Sequence, residues 1–122
     1  MTIGFKKWVA VIALIMFLGA CGEKHRAQVV VNDFLDEHLK EASHYDKIYG
    51  VLDSTSRITQ EAIKTMRAKA AQLPVFKSDL SYGEGNGTLF YLRVKLCERQ
   101  DTMPLTFYLD KDMSRVVAFK EN

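Results

Sequence analysis

The chain has 122 residues, 17 Lys and Arg against 15 Asp and Glu, and two cysteines. That length holds one domain with a modest core, and the near-balanced charge removes any global case for a nucleic-acid partner. Two cysteines, with no CxxC pair and no Cys/His cluster, give no disulfide framework, structural zinc site or thioredoxin-like redox motif.

Lys6 and Lys7 form a short basic start, and Trp8–Leu18 is an apolar run of 11 residues. The run is too short to span a bilayer, which takes about 20 residues. It fits the hydrophobic region of an export signal, about 7 to 15 residues after a basic segment. Leu18-Gly19-Ala20-Cys21 then supplies small residues before a cysteine. This segment resembles the lipobox of bacterial lipoproteins. The resemblance implies a signal peptide at 1–20 that is removed. It also implies lipidation of Cys21 as a diacylglyceryl thioether, with palmitate-class acylation of its new amino group. Each buried CH₂ contributes about 0.8 kcal/mol, so two or three chains anchor a protein to a membrane durably. Gly22 stands where an Asp would, in the enterobacterial sorting rule, retain a lipoprotein at the inner membrane. The resemblance therefore implies a bacterial cell envelope protein at the outer membrane, its domain in the periplasm.

Residues 21–122, 102 in all, would remain, with 15 basic against 15 acidic side chains once Lys6 and Lys7 leave. With Cys21 lipidated, Cys97 has no partner in the chain and is expected as a free thiol, either sequestered or linking two molecules.

Residues 21–26 read as a short lipidated polar tether, and 27–122 as a single α+β domain. Ala27, Val30, Val31, Phe34, Leu35, Leu39 and Ala42 recur at three- and four-residue spacing, which predicts a helix from Ala27 to about Tyr45. Asp46–Thr55 is expected as a connector packed by Ile48, Tyr49, Val51 and Leu52. Thr59–Leu73 reads as a second helix, capped by Ser56 or Thr59 and stopped by Pro74, with Ile63, Met66, Ala70 and Leu73 on its inner face. Lys64, Arg67 and Lys69 fall mostly on its outer, solvated side. From Val75 the period becomes two. Strands are expected at Phe76–Tyr82, at Phe90–Cys97, at Met103–Leu109 and at Arg115–Lys120, with Gly83–Gly87 a flexible turn and a candidate contact loop.

The expected fold is two N-terminal helices packed on one face of a three- to four-stranded antiparallel meander. Phe34-Leu35, Leu39, Tyr45 and the strand Leu89-Phe90-Tyr91-Leu92-Arg93-Val94 carry a fold-level resemblance to small exported domains of the cystatin-like and NTF2-like groups. The element order also resembles the outer-membrane assembly lipoproteins with two helices on a three-stranded sheet, but their glycine-rich helix start is missing. Fold analogy of this kind carries no function.

No G-x-S-x-G, S-x-x-K or H-E-x-x-H motif occurs. His38, His44, Glu41 and Asp46 have usable ligand spacing for a metal but read better as polar residues near a helix end. Asp33, Asp36, Glu37 and Glu41 share an ordinary helix surface with no cleft between them for general acid–base work. Ser54-Thr55-Ser56 is turn and cap chemistry, and nothing places a histidine beside Cys97. No cofactor or metal is expected. The polar side of the predicted sheet carries Tyr91, Arg93, Lys95, Cys97, Thr106 and Tyr108, and aromatics beside cations suit an anionic or amphipathic partner. The expectation is a non-enzymatic lipoprotein that binds an envelope protein, glycan or lipid through Tyr91, Arg93, Lys95 and Tyr108. Two alternatives are an inhibitor or immunity-type protein blocking a toxin or hydrolase, and a small-ligand pocket of NTF2-like type between helix and sheet.

Overall fold

Helical periodicity is realised over residues 22–38, which form α1 in the computed structural model; that structure describes residues 22–122. The signal segment and Cys21, with the lipidation expected there, lie outside the described residues. Residues 22–26, expected as a tether, are helical, exposed and continuous with α1. The helix ends seven residues before the expected Tyr45. The Lys40 N–H donates to the Val75 carbonyl (3.0 Å) rather than up the helix, and Leu39 bridges to Phe76. A 3-10 turn at Ala42–His44 completes the exit.

Asp46–Thr55 is no connector. It is a ten-residue strand, β1, paired antiparallel to the next strand with a bulge between Tyr49 and Leu52. The second helix, α2, spans Gln60–Ala70. The Thr59 hydroxyl caps it by accepting from the Ala62 N–H (3.0 Å), and Arg67 and Lys69 complement the dipole in its last turn. The expected strand Phe76–Tyr82 reduces to the single Leu39–Phe76 bridge. Residues 75–88 run instead as a strap past the sheet, tied by the Gly83 N–H to the Val116 carbonyl (2.9 Å). Gly83 and Gly85 permit that approach. A Cβ at Gly83 would lie 2.6 Å from the Arg115 stem, and one at Gly85 would lie 2.7 Å from Val117 Cγ2.

The remaining strands are β2 at Leu89–Glu98, β3 at Asp101–Leu109 and β4 at Val116–Glu121, close to expectation. The sheet order is β1-β2-β3-β4, antiparallel throughout. The class is α+β, with two α-helices and a four-stranded antiparallel sheet among the described residues. The finer expectation of two leading helices on one face needs correction. β1 falls between the helices, and the helices bury residues against different faces.

The first face carries Leu92, Val94 and Leu96 of β2 with Leu105, Phe107 and Leu109 of β3. Ala27, Val31, Phe34 and Leu35 of α1 pack on it, at the helical spacing seen in the sequence. Ile63 and Met66 of α2 form a separate cluster with Leu89, Tyr108, Val117 and Ala118. Tyr108 alternates with Phe107 and Leu109, so this cluster belongs to the second face. By Ala70, α2 has turned onto the β4 edge and joins the main core. β3 is consequently buried from Leu105 to Leu109 on both sides.

Phe119 sits at the centre of the aromatic packing. It stacks on Phe107 (5.0 Å between centroids, 14° between planes) and contacts Phe76 (4.7 Å) and Phe34 (5.6 Å). Phe119→Ala should cost about 3–5 kcal/mol of folding stability. Urea unfolding of the two proteins measures the difference, and a cost below 1 kcal/mol would show the cluster to be dispensable.

Candidate functional site

Strand register decides which side chains share the second face. Tyr91 lies opposite Tyr108, Arg93 opposite Thr106, Lys95 opposite Pro104 and Cys97 opposite Thr102. Lys120 joins the Arg93–Thr106 row from β4. Ile48 of β1 stands beside Lys95, and Asp53 beside Tyr91. The six residues expected on one polar face are therefore together.

They are not equally available. α2 covers the end of the face that holds Tyr108, which is only 7% exposed, and leaves Tyr91 half-buried. Burial raises the Tyr108 pKa, with Arg93 pulling the other way. Tyr108 is thus a packing residue, its ring 6.1 Å from that of Tyr91. Cys97 is unbridged and half-buried near the β2–β3 turn, with the Thr102 hydroxyl at 4.0 Å from its sulfur.

The other half of the face is open. Arg93, Lys95 and Lys120 are exposed, and none pairs with a carboxylate among the described residues. Between them and the β1 edge lies a groove of about 380 Å³ bounded by Ile48, Val51 and Pro104. Ile48 and Val51 are 57% and 69% exposed. The β1 bulge pushes Val51 to this side, and Gly50 lies directly against Arg93, where a Cβ would meet Arg93 Cβ at 3.4 Å. Sequence reading found Arg93 and Lys95 but not Lys120, and it missed Ile48 and Val51 because it took their segment for a connector.

A second concavity, about 360 Å³, runs between α1 and the strap, lined in part by Asp33, Glu37, His38, Ser81 and Arg115. His38 is buried, with its Nε2 3.3 Å from the Ser81 hydroxyl and 3.4 Å from the Ser81 N–H. Burial lowers its pKa below the ordinary 6.5, Glu37 and Asp79 partly opposing this. His38 and Ser81 thus tie α1 to the strap. Tyr82 is next to it. Its hydroxyl is buried without a partner, and burial pushes its pKa up to about 12. The space between α1 and the sheet, where an NTF2-like pocket would sit, is filled by Phe34, Phe107 and Phe119.

The residues weighed as a metal set are dispersed. His38 faces the strap, while His44 sits on the surface 3.0 Å from Glu41. Asp36 of the helical carboxylates instead pairs with Lys47 at 2.8 Å. Arg67, read from sequence as solvated, proves structural. Its Nε donates to the Val117 carbonyl (2.9 Å), its Nη2 donates to the Gly83 carbonyl (3.0 Å), and its Cζ lies 4.8 Å over the Tyr82 ring. Nothing in helical spacing signals this, because the partners come from the strap and β4.

Comparison of the chain with protein-family models, curated proteins and solved structures gives no match.

Two consequences can be measured. Arg67→Met leaves two backbone carbonyls without their charged donor and should cost about 2–3 kcal/mol in urea unfolding. His38 gives a pH signature. Above pH 6.5 its ring is neutral in both the folded and the unfolded chain. As pH falls below 6.5 the unfolded chain takes up the proton first, so stability declines until the folded His38 titrates as well. The urea midpoint should fall between pH 7.5 and 5.5, and His38→Gln should flatten that fall. An unchanged slope in the variant would remove His38 from the account.

Proposed function

We propose that this protein is a non-enzymatic binding module of a bacterial cell envelope, anchored by lipid on Cys21, and that it engages another envelope component through the open half of its second sheet face. The observation that carries the proposal is the cluster of Arg93, Lys95 and Lys120. These cations lack ion-pair partners among the described residues, and Arg93 and Lys95 flank a groove edged by exposed Ile48 and Val51. Leaving two large β-branched residues in water costs a domain about 25 cal/mol per Å² of apolar surface that burial would recover. Cations around an apolar floor are the complement of an amphipathic, anionic surface. The lipobox-like Leu18-Gly19-Ala20-Cys21 supports anchoring, and Gly22 supports the outer membrane with the domain in the periplasm. No helix among the described residues is long and apolar enough to cross a membrane.

The proposed contact surface is shifted from Tyr91, Arg93, Lys95 and Tyr108 toward the β1 edge. Tyr108 supports the face from beneath α2, and Ile48 and Val51 take its place at the surface.

In-cell crosslinking of tagged full-length protein tests both halves of the reading. Cys21→Ala should shift the protein from the membrane fraction to the soluble envelope fraction. The double variant Arg93→Glu, Lys95→Glu should lose the principal crosslinked partner while remaining folded and membrane-bound. Retention of that partner by the double variant would rule out this surface.

A further inference from the structure

The two edges of the sheet are treated differently. β4 is closed: the Gly83 N–H and the Arg67 guanidinium occupy the Val116 and Val117 carbonyls, and α2 lies against the strand. β1 is open. It pairs with β2 alone. Beyond that ladder its backbone has one hydrogen bond among the described residues, from the Ser54 N–H to the Asp53 carboxylate. Proteins usually guard such an edge with an exposed lysine, a proline, a bulge or a cover. Lys47 does not serve, because Asp36 and Asn32 draw it onto the α1 side, and β1 contains no proline. The bulge at Gly50–Val51 and the exposed Asp46 and Asp53 are the remaining guards, and the bulge delivers Val51 to the groove.

We propose that this edge receives an acidic, extended segment of a partner protein, added antiparallel or parallel to β1 as a fifth strand. The inference rests on the binding surface assigned above and names its occupant. Strand addition draws affinity from main-chain hydrogen bonds and specificity from alternate side chains. Those alternate side chains on the second face would lie beside Ile48 and Val51, with the exposed Asp46 and Asp53 of β1 at the two ends of the row, so an acidic residue fits only at the centre, within reach of Arg93 and Lys95. Arg93 and Lys95 stand one strand further in, about 10 Å from the added backbone. Long cations can meet a Glu carboxylate across that distance half-way, so the segment should favour Glu over Asp at its centre, with an apolar residue two positions away on the same face against Ile48 and Val51.

The placement of the patch favours a protein segment over a lipid surface. α1 runs antiparallel to β1, because Asp36 meets Lys47 while Asn32 reaches both Lys47 and Tyr49. Its first turns therefore lie at the end of the sheet where β1 finishes, and it is about 25 Å long. A lipid on Cys21 would attach at that end. The Ile48–Lys95–Pro104 row lies at the opposite end and on the other face, pointing away from the anchor.

A random eight-residue peptide display library, selected against the full-length lipidated protein in neutral detergent, tests the inference. Enrichment of peptides that carry Glu and an apolar residue two positions apart is expected. Binding of a synthetic winner, read by fluorescence anisotropy, should weaken at least about tenfold when its alternate amides are N-methylated, which leaves every side chain in place. It should weaken similarly with Arg93→Glu, Lys95→Glu, and more modestly with added salt. Equal binding of the N-methylated peptide would overturn strand addition while leaving the Arg93/Lys95 surface standing. Absence of any acidic enrichment, with crosslinking still dependent on Arg93 and Lys95, would also overturn the peptide and spare the surface. Loss of that crosslinking dependence would remove both. Binding of the unlipidated Cys21→Ala chain to anionic vesicles through Arg93 and Lys95 would overturn the protein segment in favour of lipid.

Discussion

The packing of Phe119 against Phe34, Phe76, Phe107 and Tyr82 is the constraint on which the rest depends. These five rings come from α1, the strap, β3 and β4. No other contact in the described chain draws so many separate segments to one point. Close-packed aromatic interiors tolerate little displacement. The strap, which has almost no secondary structure of its own, is held in place by donating Phe76 and Tyr82 to this cluster. Its backbone is then fixed by the Gly83–Val116 and Lys77–His38 hydrogen bonds, and Arg67 clamps it from α2.

A consequence of this arrangement is that the chain spends its covering elements on one sheet edge. The strap, the β3–β4 turn and α2 all converge on β4. Within that turn the Asp110 carboxylate resists the upward pull of burial. It accepts from the Ser114 hydroxyl and N–H and from the Arg115 N–H, which holds its pKa below the ordinary value. The turn is thereby rigid, and it seats Arg115 over Gly83. Nothing comparable is built around β1, whose burial pattern contains no fully buried residue.

The strands β2 and β3 were legible in the sequence because their alternation is uninterrupted and each period-two set meets one face, whereas β4 was marked by its β-branched and aromatic run between a turn and Lys120, buried on both sides. β1 was not, and its bulge explains why. Tyr49 and Leu52 fall on the first face and Ile48 and Val51 are drawn to the second, so like residues recur at a spacing of three. That spacing is foreign to a regular strand and reads as irregular chain. The opposite error arose at Phe76–Tyr82. There the alternation is real, but Phe76 and Tyr82 are buried against an aromatic cluster rather than against a ladder partner. The helix was read too long because Leu39 keeps helical spacing after its backbone has turned to Phe76. Of the site, Arg93 and Lys95 could be placed from parity alone. The burial of Tyr108 and the structural role of Arg67 required knowing where α2 lands, and no periodicity in one helix specifies its partner.

Helix length determines where the exposed surface falls. α1 is about 25 Å long and covers most of the first face, whereas α2 has 11 residues and spans only about 16 Å. A ten-residue strand extends about 33 Å. Even if α2 lay squarely across the second face it would leave half of it bare, and it veers to the β4 edge at Ala70. A domain under pressure only to fold would be expected to place small polar residues on that bare half. Here it carries Ile48 and Val51 in the open, with Arg93 and Lys95 beside them and Lys120 further along the same face, in a chain whose formal net charge is only +2. Apolar and cationic groups concentrated where the fold supplies no cover, next to the one sheet edge that no other element of the described chain covers, are the surface on which the proposed partner would supply the cover itself.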